Sequence, residues 1–488
     1  MPDSICEWAS RATKLRGAKV LGRAEVVIMS SVQKIITDQW RPLVEKAIWA
    51  ALPFAGSQLV RLASSIGLAW LLAPELIGAM VLINTLRTGV ELLTDVGIGQ
   101  SIVRDPKGLD PDFYNTAWTI QIIRGFLLFA LMLALTYPIA MVYDRSELLI
   151  LLPAIAPIFL ITGLSSPARF LLQKQMEIKT LALFDFGVSI FVALAHIVIA
   201  FYMPNIWSLI LGLLIGSTGA SIASYFILDC SELRLRLDNS SLKSIFEFGK
   251  WIFLSSIVFY FGTSFDRLYF AQQFSAATLG IYGIAKTYAE TFTSLIARVS
   301  QMIIFPKISS TPLTGAELRD KIASIRFGLI AVISILLAAI ISVADEFIFY
   351  SYDLRYRGAG IIVTIFMAGA WFAVLHAVAD ATMLGLGKSA EIALANGVRL
   401  LSVAVVLPLA FIEFGISGAL FALIFSDIVR YMSLCFSLFK IKMSFILHDV
   451  LLLSIFVLFI LLFRQGTLVV GLTGGMGGWL GQLEVLNV

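Results

Sequence analysis

AIWAALPFAGSQLVRLASSIGLAWLLAPELIGAMVLINTLRTGVELLTDVGIGQSI, residues 47–102, reads as two membrane crossings, near 47–72 and 76–102, joined by a turn at Pro74 and Glu75. Each run is apolar over 20 or more residues, enough to cross about 30 Å of hydrocarbon at 1.5 Å per residue. Each also holds charge at depth: Arg61 in the first, Arg87 and Glu91 in the second. A charge at a helix centre costs about 2.5–3.5 kcal/mol on insertion scales, so it faces a partner or a watered cavity. Outside this stretch, Lys286, Glu290 and Arg399 are placed the same way. A polytopic chain with a basic interior is most simply a carrier for an anion.

Composition carries this reading to the whole chain. Of 488 residues, 59% are apolar and 14% charged, with a mean hydropathy of +0.91. Soluble domains carry nearer 25% charge, which excludes a single globular core. No basic cluster is interleaved with stacking aromatics, which removes nucleic acid as a partner. Cys6, Cys230 and Cys435 are scattered without metal-ligand spacing, and neither a metal site nor a disulfide framework is expected.

Further spans are expected near 117–143, 148–171, 180–203, 206–229, 250–274, 278–306, 323–349, 359–386, 389–412, 416–439 and 446–463. The Gly-rich stretch 466–488 is either a fourteenth helix, a surface segment or disordered, so the side of the C-terminus stays open. With the N-terminus inside, the inside loops hold sixteen Lys/Arg, without the leader. The outside loops hold only Arg145, Arg355, Arg357 and Arg464, an asymmetry that orients the chain. The expected organisation is a cytosolic leader over 1–46 with an interfacial helix or a flexible strand of chain, and N-lobe helices 1–6 over 47–229. A cytosolic linker over 230–249, C-lobe helices 7–12 over 250–440 and a C-terminal extension over 441–488 follow.

The two halves share a rhythm. Leu76-Ile77-Gly78 and Thr278-Leu279-Gly280 follow corresponding turns at an offset of 202 residues. Six spans per half make the repeats parallel, about an axis along the membrane normal. Arg61 and Arg87 then lie roughly 18 Å from their shared turn, and Asp266 and Lys286 meet at a slightly shallower level in the second half, as a candidate ion pair. Arg87, Glu91 and Asp95 step by four, as do Lys286, Glu290, Ser294 and Arg298, so each series makes one polar stripe.

Residues 60–104 resemble the start of the polysaccharide-transport flippases, the Wzx-like exporters of O-antigen and exopolysaccharide units. The resemblance rests on a basic first helix, on Leu71, Leu72, Pro74, Glu75 and Gly78, and on Leu93, Asp95, Gly97 and Gly99. Asp112 to Trp118 with Arg124-Gly125, and Ser264-Phe265-Asp266-Arg267, resemble two further signatures. The likeness covers roughly 45–440. It implies the fold of the multidrug/oligosaccharidyl-lipid/polysaccharide exporters: an all-α integral membrane protein with 12–14 transmembrane helices in two six-helix lobes around a central cavity. It further implies a polyprenyl-pyrophosphate-linked oligosaccharide, moved by alternating access from the cytoplasmic to the periplasmic leaflet of a bacterial inner membrane. Membrane lipids, a polysaccharide polymerase and chain-length proteins are the partners so implied.

The diphosphate calls for arginine, whose fork donates paired bonds and keeps its charge when partly desolvated. Arg61, Arg87, Lys286 and Arg298 form the expected headgroup cradle, with Arg124 and Arg399 behind them; structural ion pairs and snorkelling are the competing roles. Trp70, Trp118 and Tyr282 are candidates for stacking on sugars. No phosphate-cradling ATP loop is present, so no cofactor is expected and Na⁺ or H⁺ is the candidate energy source. Glu91, Asp95, Glu290, Asp380 and Asp427 are the candidate coupling carboxylates, with His376 one turn before Asp380. Two rivals remain. A multidrug exporter of the same superfamily would want acidic residues to lead in the cavity. A membrane polymerase or ligase needs catalytic residues on large external loops, but the longest clear one here, YSYDLRYRGA at 350–359, has no carboxylate pair or His, so no enzyme is expected.

Overall fold

The computed structural model describes residues 41–228, 233–309 and 313–469. Residues 1–40 of the leader expected over 1–46, and most of the Gly-rich tail, lie outside the described residues, while 41–46 open the first helix. What is described is all helix, with no strand: α1 Arg41–Leu71, α2 Pro74–Leu92, α3 Ile98–Arg104, α4 Pro111–Tyr143 and α5 Leu148–Ile155 come first. Then follow α6 Pro157–Gly163, α7 Ala168–Lys174, α8 Ile178–Tyr202, α9 Ile206–Ser224 and α10 Asn239–Gln273. The chain closes with α11 Ala276–Ser309, α12 Gly315–Ser351, α13 Ala359–Gly385, α14 Ser389–Lys440 and α15 Ile446–Val469. Eight of these helices are long and apolar enough to cross a membrane, or nine if the bent α5–α7 segment counts as one span. Helices α1, α2 and α11 have the length without the apolarity. They are the helices that carry Arg61, Arg87, Glu91, Lys286, Glu290 and Arg298.

Several boundaries differ from expectation, each for a local reason. The span expected over 76–102 stops at Leu92, because Asp95 Oδ1 accepts the Gly97 N–H at 2.9 Å and Gly97 turns left-handed at φ 63°. A Cβ there would meet Ile252 Cδ1 at 2.2 Å, so glycine fits both the turn and the packing. The span expected over 148–171 is broken and bent by 50°, where prolines at 157 and 167 remove backbone donors. The expected linker is shorter than 230–249: Asp238 accepts the Ser241 N–H and starts α10 at Asn239. α14 joins the two spans expected over 389–412 and 416–439 across a kink at Gly415 (φ 59°, ψ −147°).

The basic loops come together within each half, Lys174 and Ser244 at the 103–105 loop and the turns at 315, 385 and 441 beyond α11. They lie at the helix ends opposite the turns at 73, 145, 275 and 353; the former ends are the basic face and the latter the far face. Helix α2 packs on α11 near the far face with almost no side chain between the backbones. A Cβ on Gly78 would lie 1.8 Å from the Ala276 carbonyl oxygen, and one on Gly280 would lie 2.1 Å from that of Pro74. The same 202-residue offset relates Gly78 to Gly280 and Pro74 to Ala276, so the contact is reciprocal, as a twofold axis makes it.

Two buried ion pairs fasten α15 to α12. Arg326 grips Asp449 with two bonds of 2.5 and 2.9 Å, under the ring of Phe445, while the Tyr431 hydroxyl donates to the same carboxylate. Arg464 grips Asp345 at 2.8 and 2.7 Å and donates to the Ser342 carbonyl at 2.9 Å. Between them Trp371 stacks on Phe456 at 5.8 Å and donates to Ser334. Both arginines read from sequence as loop charges, but each lies inside a helix and is at most 2% exposed.

Candidate functional site

The seam where α1 meets α11 gathers Arg61, Lys286, Glu290 and Arg298, four of the twelve charged or titratable residues that the sequence singles out. Arg61 projects from α1 and donates to the Thr291 hydroxyl of α11 at 2.6 Å. One residue before Thr291, Glu290 accepts from Arg267 of α10 at 2.6 Å. The adjacent Asp266 is buried and takes both Lys286 and the Tyr282 hydroxyl. Lys286 thus pairs with Asp266, as the depth argument anticipates, while Glu290 pairs with Arg267 and not with Lys286. Three cations against two carboxylates leave one positive charge in the cluster, and it belongs to Arg61. Its side chain is exposed, its bonded partner is a neutral hydroxyl, and no carboxylate among the described residues lies within ion-pair distance of it. Nearer the basic face, Arg298 lies over the Phe54 ring at 6.0 Å across the same seam.

Toward the far face the seam is shut by neutral bonds. Ser65 meets the Tyr352 hydroxyl at 3.2 Å, and Tyr352 meets that of Tyr288 at 3.0 Å. The Trp70 indole donates to the Ser351 carbonyl at 2.8 Å, and the Tyr356 hydroxyl to the Leu72 carbonyl at 2.9 Å. Arg145 ties α10 to the N-terminal helices through the carbonyls of Ala271 and Phe274, both at 3.2 Å. The closed Gly78–Gly280 crossing sits at the same end.

The other expected cradle residues are engaged elsewhere. Arg87 pairs with Glu91 at 3.2 Å, and its buried Nε has no acceptor. Arg87 is thus held by Glu91 of its own helix, whereas Arg61 reaches across to Thr291 of α11. Arg124 caps the end of α2, donating to the carbonyls of Glu91 and Thr94 at 2.5 and 3.1 Å. Together with Glu91, Asp95, Gln121, Arg169 and Asp185 it lines a separate polar cavity of about 480 Å³ among the N-terminal helices. Arg399 bonds Asp427 at 2.7 Å and the Gly262 carbonyl.

The coupling candidates are mostly occupied by the chain's own cations. Glu91, Glu290 and Asp427 pair with Arg87, Arg267 and Arg399. Asp380 pairs with Arg430 at 2.8 Å, and His376 Nδ1 is 3.9 Å from Asp380 and in contact with Arg430. The proton pair read from the sequence is therefore a three-membered group with an arginine at its centre. Arg430 also donates to Asn396 at 2.8 Å. Asp95 alone of these carboxylates has no ion pair among the described residues; it accepts from Gly97 and, at 3.4 Å, from Ser256. Of the aromatic candidates, Tyr282 is 1% exposed and offers no open ring face, and Trp118 donates to the Ser165 carbonyl at 3.1 Å.

Sequence reasoning missed Arg430, the two α15 pairs and the Arg267–Glu290 bond. The signal for the α15 pairs was present in Asp345, a carboxylate inside an apolar span. Nothing in the one-dimensional pattern names its partner 119 residues away.

The description "Polysaccharide biosynthesis protein" fits residues 68–357 as a family. The chain is 23% identical over 277 residues to the teichuronic acid biosynthesis protein TuaB of Bacillus subtilis, covering 56% of this chain and 57% of that one. It is 22% identical over 272 residues to a membrane protein of the cps region of Klebsiella pneumoniae, covering 54% and 55%. The matches thus span about half the length of these relatives. Among solved structures it superposes on the lipid II flippase MurJ in an inward closed conformation with a TM-score of 0.68. That alignment covers 86% of this chain and 98% of the other at 14% identity. An inward-facing multidrug resistance MATE transporter of the MOP superfamily gives 0.59, 82%, 95% and 15%. At these identities the likeness establishes the fold, which is that of the MOP exporters.

Proposed function

This chain belongs to the polysaccharide biosynthesis protein family, and from that premise we propose that it moves polyprenyl-pyrophosphate-linked oligosaccharides from the cytoplasmic to the periplasmic leaflet. The observation that carries the proposal is Arg61. Of Arg61, Arg267 and Lys286 it is the one without a carboxylate partner among the described residues, and its exposed side chain bridges α1 and α11. A diphosphate supplies the missing negative charge, and the guanidinium fork matches two of its oxygens. Thr291 holds the fork in place, and the Arg267–Glu290 and Lys286–Asp266 pairs neutralise both carboxylates of the cluster, so that neither repels the ligand. The polyprenyl tail stays in lipid while the head and sugars cross along the seam. Closure at the far face with Arg61 exposed fits a state that takes substrate from the basic face.

In this reading the basic face is cytoplasmic, the membrane is the bacterial inner membrane, and the product feeds O-antigen, capsule or exopolysaccharide assembly by a polymerase and chain-length proteins. The pairing of nearly every seam carboxylate disfavours an organic cation as cargo, since such a cargo needs a carboxylate that is not already neutralised.

Leaflet-resolved measurement of the lipid-linked oligosaccharide in cells carrying Arg61→Gln or Arg61→Lys tests the site. The Gln variant is expected to insert normally and to accumulate substrate on the cytoplasmic side, with transport down at least about tenfold, the loss of one charge-assisted bond of roughly 1.5–3 kcal/mol. The Lys variant keeps the charge without the fork and falls between. Normal transport in Arg61→Gln sinks the assignment.

A further inference from the structure

The first part of the second signature, Asp112 to Trp118, has no part in the seam, yet its polar side chains and that of Thr119 make an ordered set of bonds. At the start of α4, Thr116 donates its hydroxyl hydrogen to the Asp112 carbonyl at 2.7 Å, and Thr119 donates to that of Asn115 at 2.8 Å. With those hydrogens committed inside the helix, both hydroxyl oxygens are left to accept. The chain entering α10 uses them. Arg234 N–H donates to Asn115 Oδ1 at 2.9 Å, Arg236 N–H to Thr119 Oγ1 at 3.0 Å, and Asp238 N–H to Thr116 Oγ1 at 3.0 Å. Every second backbone donor is taken, the period of an extended chain, and the acceptors follow in the order 115, 119, 116, so the strand of chain crosses one turn of the helix face.

Further contacts continue the attachment. The Arg236 guanidinium pairs with Asp112, and the Asp238 carboxylate caps α10 through Ser241. Ser244 donates to Asp105 at 2.7 Å, and Arg104 lies over Phe248 at 4.3 Å. Loop N–H groups at an exposed face are ordinarily met by water at little cost. Three of them answered by side chains of one helix serve to fix position. The helix so fixed is α10, which carries Asp266 and Arg267 into the seam.

We infer that Asn115, Thr116 and Thr119 form a rail that clips the linker between the two halves of the chain onto α4, and so sets the height and direction of α10 at the seam. They act as positioning residues and touch no cargo. Their consequence for transport rests on the flipping reading above, whereas the rail itself is a property of the fold.

The test uses the full chain in inside-out membrane vesicles, with trypsin cleavage after Arg234 and Arg236 as the first readout. Thr116→Val with Thr119→Val keeps the side-chain volume and removes two acceptors. Each lost bond is expected to favour detachment roughly 2- to 10-fold, so cleavage of the double variant should quicken by about 4- to 100-fold. Thr116→Ser with Thr119→Ser retains both acceptors and should keep wild-type protection. Unchanged cleavage in the valine variant overturns the rail, as does equal acceleration in the serine variant. The second readout is leaflet-resolved oligosaccharide in cells. A valine variant that is cleaved faster and transports less supports the positioning role. Faster cleavage with full transport overturns that role and leaves the flipping reading untouched. Failure of the unmodified chain to alter the leaflet distribution on its removal from cells would strike the flipping reading alone, with the proteolysis result still deciding the rail.

Discussion

Adding one methyl group at the α2–α11 crossing should open the far face. In Gly78→Ala the new carbon would sit 1.8 Å from the Ala276 carbonyl oxygen, and in Gly280→Ala 2.1 Å from that of Pro74. An ordinary carbon–oxygen approach is about 3.3 Å, so the helices must part by roughly 1.2–1.5 Å. The obstacle on each side is backbone, which cannot rotate away as a side chain would. Overpacking of this kind costs about 1–3 kcal/mol. At about 2 kcal/mol the ratio of open to closed far face rises roughly 30-fold. Because either substitution relieves the strain by the same separation, the double variant should cost clearly less than the sum of the two. The assay is a distance distribution between spin labels at Ser146 and Leu354, exposed positions on the far-face turns, with Cys6, Cys230 and Cys435 replaced by serine. Either alanine variant should move population to longer distance while the melting temperature stays close to the parent's. An unchanged distribution would refute the reasoning. So would a fall in melting temperature without widening, since the strain would then lie inside the helices and not at their crossing.

Three other outcomes are expected. Arg464→Met leaves Asp345 as a lone buried charge and should destabilise the protein by about 3–5 kcal/mol, read as thermal melting in detergent. Adding Asp345→Leu should recover most of that loss, because the second charge goes with the first. Tyr356→Phe removes the donor to the buried-side Leu72 carbonyl and should cost about 0.5–1.5 kcal/mol, seen as a small widening of the same spin-label distance. The Asp238 carboxyl is pulled down to about 2 by the hydroxyl of Ser240 and the N–H and hydroxyl of Ser241. A carboxylate lowered on folding contributes above its unfolded value, near 3.9, and loses that contribution as pH falls through the folded one. Tryptic protection of the linker should therefore be flat from about pH 8 to pH 5. A marked loss of protection in that interval would show that another group governs the attachment.

The fold was legible because hydrocarbon leaves a chain few choices, and long apolar runs announce themselves. What escaped was punctuation: the Asp95–Gly97 turn, the proline-bent α5–α7 segment and the early start of α10 each depend on one local bond or one missing donor. The site was legible in part for a different reason. A charge in an apolar run is visible, but its partner is not. Arg61, Lys286 and Glu290 stood out by position, and the Asp266–Lys286 pair followed from depth. Arg87 and Arg61 share a depth too, yet helix rotation sends one to Thr291 and the other to Glu91. Arg326 and Arg464 looked like loop residues because they lie where helices were expected to begin or end.

The double fastening of α15 ties the fate of distant codons together. A chain that stopped before Ile446 would keep Arg326 and Asp345 inside the bundle with neither Asp449 nor Arg464 to answer them. Two opposite charges would then face hydrocarbon on the same helix, 19 residues apart in sequence and too far along it to neutralise each other. Loss of this last described helix is therefore reachable, by trimming at the bench or by deletion in a lineage, only alongside changes at positions more than 100 residues upstream.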